Sequence, residues 1–289
     1  MKALIVGLGF GKVLYGNIYK ILEWEVTTVD LHSGAADYRS INDIPQGIEF
    51  DIAHICTPNH THYQLAAQAA SISKIVMVEK PGVQSSSEWQ QLLDQFPRTR
   101  FMMTKNNQYR FDLADLQYGA ADADTIDIVW SNRNRIPNPG SWFTNKELAF
   151  GGVSRDLMPH LLSIYQMLNA NWRTDPAVFS QIKQNWNLGN IVSSDYGTVS
   201  ANGVYNVDDY CIVQFDRYTL TADWASREPD KIGVYSNNKS IYELGLCPES
   251  AYRRMILTAT AYVDDELFWK NQKEMDLWIH QQLEALSGH

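Results

Sequence analysis

The sequence predicts an α/β chain. A doubly wound parallel sheet occupies residues 1–111, and an α+β domain with a mainly antiparallel, open sheet occupies 112–289. Three observations carry this reading. Short continuous apolar strands alternate with helical patterns through the first hundred residues. After about residue 111 the rhythm changes to longer strands with period-two alternation. The chain has 289 residues, more than the ~100–200 of one ordinary domain.

Residues 2–6 (KALIV) form an unbroken apolar run, as in a strand buried on both faces of a parallel sheet. A Gly-rich turn leads into a helix over 12–22. The β-branched segment 25–30 (EVTTVD) reads as the second strand and 51–56 (DIAHIC) as the third. An Ala/Gln-rich helix over 61–71 precedes a fourth strand at 74–79 (KIVMVE). Ser85-x-x-Glu88 has the spacing of a capping box that opens a helix to residue 96. Residues 100–104 (RFMMT) are the fifth strand. Such alternation implies parallel pairing with right-handed crossovers. In the second part, a helix over 155–168 follows Gly151-Gly152. Segments 208–215 and 218–225 read as neighbouring antiparallel strands. Segments 231–235 and 239–243, joined through Asn237-Asn238, read as a hairpin. A helix over 264–286 closes the chain.

Composition excludes several classes of function. Hydrophobic residues at 45% and charged residues at 20% fit a soluble globular enzyme. A formal net charge of −9 with no basic stripe argues against a nucleic-acid partner and leaves a small anionic substrate open. Cys56, Cys211 and Cys247 stand far apart without CxxC spacing, so neither a disulfide framework nor a zinc site is expected. His60 and His62 have the spacing of a metal pair, yet no acidic or thiol partner is clustered near them in the sequence, and no metal is expected. The apolar run after Lys2 could pass for a signal peptide. Lys12, Asn17 and Lys20 interrupt it and no cleavage pattern follows, so a first strand fits better. No apolar stretch reaches the ~18 residues of a membrane span. A cytoplasmic protein with no membrane partner is expected.

After the first strand comes Gly7-Leu8-Gly9-Phe10-Gly11-Lys12. In the dinucleotide fingerprint G-x-G-x-x-G, the first glycine permits a tight turn and the second lets the backbone approach a pyrophosphate. The anion then sits on N–H groups at a helix N-terminus. The third glycine, which serves helix–strand packing, would fall at Lys12; Gly11 is one place early. Gly7, Gly9, Phe10 and Gly11 are the expected loop residues. Asp30 ends the second strand, where a carboxylate accepts ribose hydroxyls and repels a 2′-phosphate. That favours NAD, with NADP possible because Arg39 lies downstream. The plain alternatives are a Gly-rich turn without ligand and a solvated strand-end Asp.

Two further segments are more specific. Cys56-Thr57-Pro58-Asn59-His60-Thr61-His62 follows the third strand, and Glu79-Lys80-Pro81 follows the fourth. In the second part stands Gly151-Gly152-Val153-Ser154-Arg155-Asp156-Leu157-Met158-Pro159-His160. Ser141-Trp142-Phe143 and Gln108-Tyr109-Arg110-Phe111 accompany it. In order and spacing these resemble the TPN-x-x-H, EKP and GG-x-x-x-D-x-x-x-H motifs of the Gfo/Idh/MocA family, and the resemblance covers most of the chain. It implies a Rossmann domain followed by a substrate domain. It also implies that Thr57, Pro58, Asn59 and His62 line the cofactor and that Glu79 and Lys80 reach the nicotinamide side. The chain is shorter than many members of that family.

Asp156 and His160 are four apart and would share one face of a continuous helix. Imidazole titrates near neutrality and suits general acid/base work. The expected reaction is hydride transfer between nicotinamide and a secondary alcohol or ketone. His160 is the preferred base, Lys80 polarises the oxygen, and Asp156 orients His160 or binds a hydroxyl. The resemblance implies a sugar, cyclitol or sugar derivative as substrate, with Tyr109, Arg133, Arg135 and Trp142 as candidate wall residues. Alternatives are an imine reductase of the biliverdin-reductase type and a non-catalytic dinucleotide-binding regulator. A homodimer or homotetramer is expected, because an antiparallel sheet covered on one face leaves the other to be buried.

Overall fold

The apolar runs of the N-terminal part pair as parallel strands in a computed structural model. It describes residues 1–114, 116, 123–131, 141–183, 210–224, 231–236, 239–244 and 247–287. The strands are β1 (Lys2–Val6), β2 (Glu25–Val29), β3 (Phe50–Ile55), β4 (Ser73–Val78) and β5 (Arg100–Met103), in the order β2-β1-β3-β4-β5. Val6 lies beside Val29 and Ile55, and Ile55 beside Val78. The strand ends therefore align, and the loops after β1 to β4 leave from one edge.

Three helices follow these strands: α1 (Phe10–Ile21), α2 (His62–Ala70) and α3 (Ser86–Gln95). Each buries a stripe set by helical spacing: Gly11, Tyr15, Ile18 and Tyr19 on α1, Ala66, Ala69 and Ala70 on α2, Trp89 and Leu92 on α3. Ser85 caps α3 by accepting from Glu88 N at 3.2 Å, while the Glu88 carboxylate accepts from Gln84 N at 2.9 Å. Between Tyr15 and Tyr19 sits His54 of β3, with ring centroids 4.1 and 5.6 Å away. Burial pulls its pKa down to about 3, so the ring is neutral.

The backbone contacts divide the chain into two units. The first is Met1–Thr104 together with Tyr252–His280, and the second is Lys105–Ala251 with Gln281–His289. The expected division placed one break at 111/112. Two C-terminal helices, α8 (Glu249–Ala261) and α9 (Glu266–Ser287), supply the part that returns to the first unit. Asp276 on α9 accepts from Met103 N at 3.0 Å, and Arg100 pairs with Glu266. The sequence reading included α9 but not α8. Its apolar positions Ala251, Met255, Ile256 and Ala259 are fully buried and fall at helical spacing.

The second unit holds a six-stranded sheet ordered β11-β10-β6-β9-β8-β7. Its strands are β6 (Ile126–Ser131), β7 (Ala177–Lys183), β8 (Tyr210–Phe215), β9 (Tyr218–Asp223), β10 (Lys231–Ser236) and β11 (Lys239–Leu244). Pairing is antiparallel except for β6 with β9, which run parallel. The expected β8–β9 and β10–β11 pairs are both present. Short helices α4 (Phe111–Ala114), α5 (Lys146–Ala149) and α6 (Val153–Asp156) precede α7 (Met158–Leu168). Tyr165 of α7 stacks on Phe215 at 4.3 Å and meets Tyr218 edge-on, so α7 covers this face of the sheet.

The single helix expected over 155–168 is two. Pro159 has no N–H to give Arg155 O, and its ring crowds that carbonyl. Helix α6 therefore ends at Asp156 and α7 restarts at Met158 with proline in its first turn. Among the described residues, no helix is long and apolar enough to cross a membrane.

Helix α1 starts at Phe10, two residues before the expected position, and this gives Gly11 its task. A Cβ on Gly11 would lie 2.9 Å from Cys56 Cβ and 3.2 Å from Ile5 Cγ2. A Cβ on Gly16 would meet nothing within 4 Å. Gly11→Ala should therefore destabilise by about 1–3 kcal/mol through overpacking. Gly16→Ala, in the same helix, should stabilise by roughly 0.5–1 kcal/mol. Urea midpoints of the two variants check the pair, and equal shifts would refute the packing role.

Candidate functional site

The loop after β1 turns at Gly7, whose φ of +96° is in the left-handed region. A Cβ there would lie 2.6 Å from Cys56 O and 2.9 Å from Thr57 Cγ2. Only glycine lets the first loop lie against the loop after β3. Gly9 is the N-cap of α1 and makes no side-chain cap, and a Cβ on it would meet nothing within 4 Å. The first N–H groups of α1 thus have no side-chain cap from Gly9, and the space beside Gly9 is open. Phe10, the first helical residue, is 57% exposed.

Asp30 is bound to this loop. Its Oδ2 accepts from Leu8 N at 2.7 Å, and its Oδ1 from His32 N and Ser33 N at 2.8 Å each. Partial burial opposes the charge, but the three donors outweigh it and hold the pKa below the usual value. A carboxylate offers about four acceptor positions. Three are used by backbone, which leaves capacity for roughly one ribose hydroxyl rather than two.

Residues of the loop after β3 divide into two groups. Thr57 accepts from Thr61 Oγ1 at 2.7 Å, and Asn59 is buried. His62, expected to line a cofactor, is fully buried in the first turn of α2. Its Nδ1 lies 2.7 Å from Gly82 O and its Nε2 2.8 Å from Thr57 O. Burial pulls its pKa down, against the pull of these two carbonyls.

After β4, half-buried Glu79 accepts a hydrogen bond from Tyr15 OH. Burial pushes its carboxyl pKa up, opposed by that bond and by Lys80. Burial, then the Glu79 charge, push the Tyr15 phenol well above its usual value. The Lys80-Pro81 peptide is cis, and Lys80 itself is half-buried at the strand end. Tyr15 and His280, discussed below, are members of this edge that the sequence reading did not single out. Tyr15 lies at helical spacing from Gly11, whereas nothing local in the sequence marks His280.

In the second unit, Asp156 closes α6 and His160 stands in the first turn of α7. The two do not share the face of one helix. His160 is 8% exposed, its ring centroid lies 4.9 Å from that of Trp130, and its Nδ1 lies 3.4 Å from Asn107 Nδ2. Asn107 Oδ1 is buried with no hydrogen-bond partner among the described residues. Gln108 fastens this 3₁₀ turn (Asn106–Tyr109) to α7, donating to Ser163 O at 3.0 Å and Gln166 Oε1 at 3.3 Å. Tyr109 and Trp142 are half-buried, and Trp142 meets Phe143 edge-on at 5.4 Å. Arg133 and Arg135 lie outside the described residues. Asn107 and Trp130 were missed, although Asn107 directly precedes a quoted motif. Among the described residues, no group of three or more His, Cys, Asp or Glu side chains is placed to hold a metal ion.

Comparison with known proteins agrees with this geometry. Residues 16–106 match the Gfo/Idh/MocA family, described as an oxidoreductase family with an NAD-binding Rossmann fold. A protein of Amycolatopsis mediterranei, whose name assigns it to UDP-kanosamine synthesis as an oxidoreductase subunit, is 30% identical over 139 residues. That alignment covers 46% of this chain and 37% of that protein. A levoglucosan dehydrogenase of Pseudarthrobacter phenanthrenivorans is 27% identical over 157 residues, 51% of this chain and 40% of that enzyme. The matched part thus spans about two fifths of the length of these curated relatives. The crystal structure of GenD2 from gentamicin A biosynthesis, in complex with NAD, superposes with a TM-score of 0.74 at 18% identity. It covers 99% of this chain and 92% of that one, so the fold is shared over its whole length.

The Asp30 geometry sets a pH dependence. The folded pKa is below the ordinary 3.8, so ionised Asp30 stabilises the fold above that value. The contribution fades as pH falls through the lowered value. Asp30→Asn should therefore lower the thermal midpoint at pH 7 and change it little near the acid end of the folded range. An equal loss at both ends in a calorimetric pH series would rule out the anchoring role.

Proposed function

From the premise that residues 16–106 belong to the Gfo/Idh/MocA oxidoreductase family, we propose that this chain is an NAD-dependent oxidoreductase. It moves a hydride between nicotinamide and a secondary alcohol or ketone carbon of a sugar, cyclitol or sugar derivative. The observation that carries the reading is the carboxyl edge of the first sheet. There, an uncapped helix N-terminus opens over Gly9, Asp30 is held by the same loop, and Lys80 follows β4. These residues fit a dinucleotide. The open N–H groups suit a pyrophosphate, and the Asp30 charge disfavours a 2′-phosphate. Thr57, Pro58 and Asn59 extend the edge. The substrate class is taken from the sugar chemistry in the relatives' names.

Nicotinamide, when bound, supplies or accepts the hydride. Lys80 polarises the substrate oxygen through Nζ. His160 takes or returns the hydroxyl proton, and Asp156 orients it or binds a neighbouring hydroxyl. Asn107 selects the tautomer of His160. With Nδ2 toward Nδ1, the neutral ring carries its proton on Nε2 and donates to a ketone oxygen. With the amide reversed, Oδ1 accepts from Nδ1 and leaves Nε2 a base for alcohol oxidation. Tyr109, Trp142, Arg133 and Arg135 are the proposed substrate wall.

The test is turnover of levoglucosan, inositol and UDP-sugars with NAD. Lys80→Ala and His160→Ala should each lower kcat by about 10²–10⁴-fold with NAD affinity nearly unchanged. NAD should bind more tightly than NADP, and Asp30→Ala should narrow that gap. Near-wild-type rates in both alanine variants would reject the site. NAD binding with no turnover across the panel would identify a regulator, and turnover of C=N substrates alone an imine reductase.

Assembly as a homodimer or homotetramer belongs to the same reading. Val129 and Ile212 lie in one row across the outward side of the six-stranded sheet, and Val178 of β7, on that side, is 61% exposed. A stable monomer in light scattering at micromolar concentration would reject this part.

A further inference from the structure

The turn after β4 is fixed at both ends by groups distant in sequence. At its start, Glu79 N donates to Ile55 O at 3.0 Å, continuing the β3–β4 ladder, and the Glu79 carboxylate is held by Tyr15. Gly82 N donates back to Glu79 O at 2.9 Å and closes the four-residue turn around Lys80. Beyond the turn, one peptide group, Gly82–Val83, is gripped by two buried histidines. Its carbonyl faces His62 Nδ1 at 2.7 Å, and its N–H donates to His280 Nε2 at 3.1 Å.

Both rings are themselves held. His62 also faces Thr57 O, which joins the loops after β3 and β4. His280 Nδ1 donates to Asp276 O at 2.7 Å, which leaves Nε2 as an acceptor for Val83. Its ring stacks on Trp89 with centroids 4.7 Å apart. A Cβ on Gly82 would lie 2.2 Å from His280 Nε2, so ring and turn fit only because residue 82 is glycine. His62 and His280 are both 0% exposed, and neither can exchange its partner for water.

We propose that His62 and His280 are positioning residues for Lys80, gripping the Gly82–Val83 peptide from opposite ends and so fixing the lysine at the carboxyl edge. This rests on the reading of Lys80 as the residue that polarises the substrate oxygen. The motif at residues 79–81 and a C-terminal helix are thereby coupled: α9 is part of the support of the EKP turn. Apolar packing alone would need neither ring nitrogen aimed at this peptide.

The experiment uses the full chain loaded with NAD. Its lysines are reductively methylated with ¹³C-formaldehyde, and the Lys80 resonance is assigned by its loss in Lys80→Arg. His280→Phe keeps a ring on Trp89 and removes the acceptor. His280→Gln retains an amide oxygen able to take the Val83 N–H. The expected result is a displaced Lys80 resonance in His280→Phe that returns to the wild-type position in His280→Gln. His62→Gln, which keeps an amide able to reach Thr57 O but not Gly82 O, should displace it too. It serves as the decisive variant if His280→Phe does not fold. A Lys80 resonance unmoved in whichever of these variants fold, despite lower melting temperatures, would overturn the proposal and leave the histidines as packing alone. Full turnover in Lys80→Ala would instead overturn the catalytic reading of Lys80 and leave the resonance result standing.

Discussion

The loop after β1 and the start of α1 lie hard against the end of β3, and the chemistry of the sheet edge depends on that contact. Gly7 lies against Cys56 O and Gly11 against Cys56 Cβ, both at distances a side chain would violate. Interiors packed to crystal density leave no slack for a methyl group at either point. The missing side chains let α1 descend onto β1 and β3. Leu8 N then reaches Asp30, and α1 begins after Gly9 without a side-chain cap. Helix direction, anion-ready backbone and fixed carboxylate all follow from that one packing constraint.

A second constraint is the satisfaction of backbone groups where strands run out. Ladder partners end with β4 and β5, yet the following peptides remain buried. Side chains replace the missing strands: His62 and His280 on Gly82–Val83, and Asp276 on Met103 N. The residues between Tyr252 and His280 therefore belong to the first unit by hydrogen bonding as well as by burial of Met255, Ile256 and Ala259. A polar clasp of this kind fixes orientation, which apolar contact alone leaves looser.

Much of this fold is legible in the chain. The strands β1, β3, β4 and β5 announce themselves as largely apolar runs, because a strand buried on two faces has no polar period to blur it, and the edge strand β2 by its β-branched residues. The antiparallel pairs β8–β9 and β10–β11 follow from alternation and turn residues. Helix α8 is hidden by its threonines, arginines and tyrosine, which weaken the apolar stripe. The break before α7 has a plain local cause in Pro159, while the apolar spacing on either side reads as continuous. Gly11 is one place early in the fingerprint, yet in a helix that begins at Phe10 it still does the packing work of the third glycine, against Cys56 and Ile5.

By itself the sequence determined the strand and helix order, the glycine turn, the carboxylate at the end of β2 and the motif residues at the sheet edge. These are set by local steric rules and by periodicity, which neighbouring residues carry between them. Tertiary structure decided which motif side chains face the edge and which face inward. Asp30 is largely engaged by backbone, Glu79 turns to Tyr15, and His62 is enclosed between two carbonyls. It also decided that His280, 197 residues from Val83, completes the turn beside Lys80. Such assignments depend on which buried donor finds which acceptor across the folded chain, and no local pattern encodes that pairing.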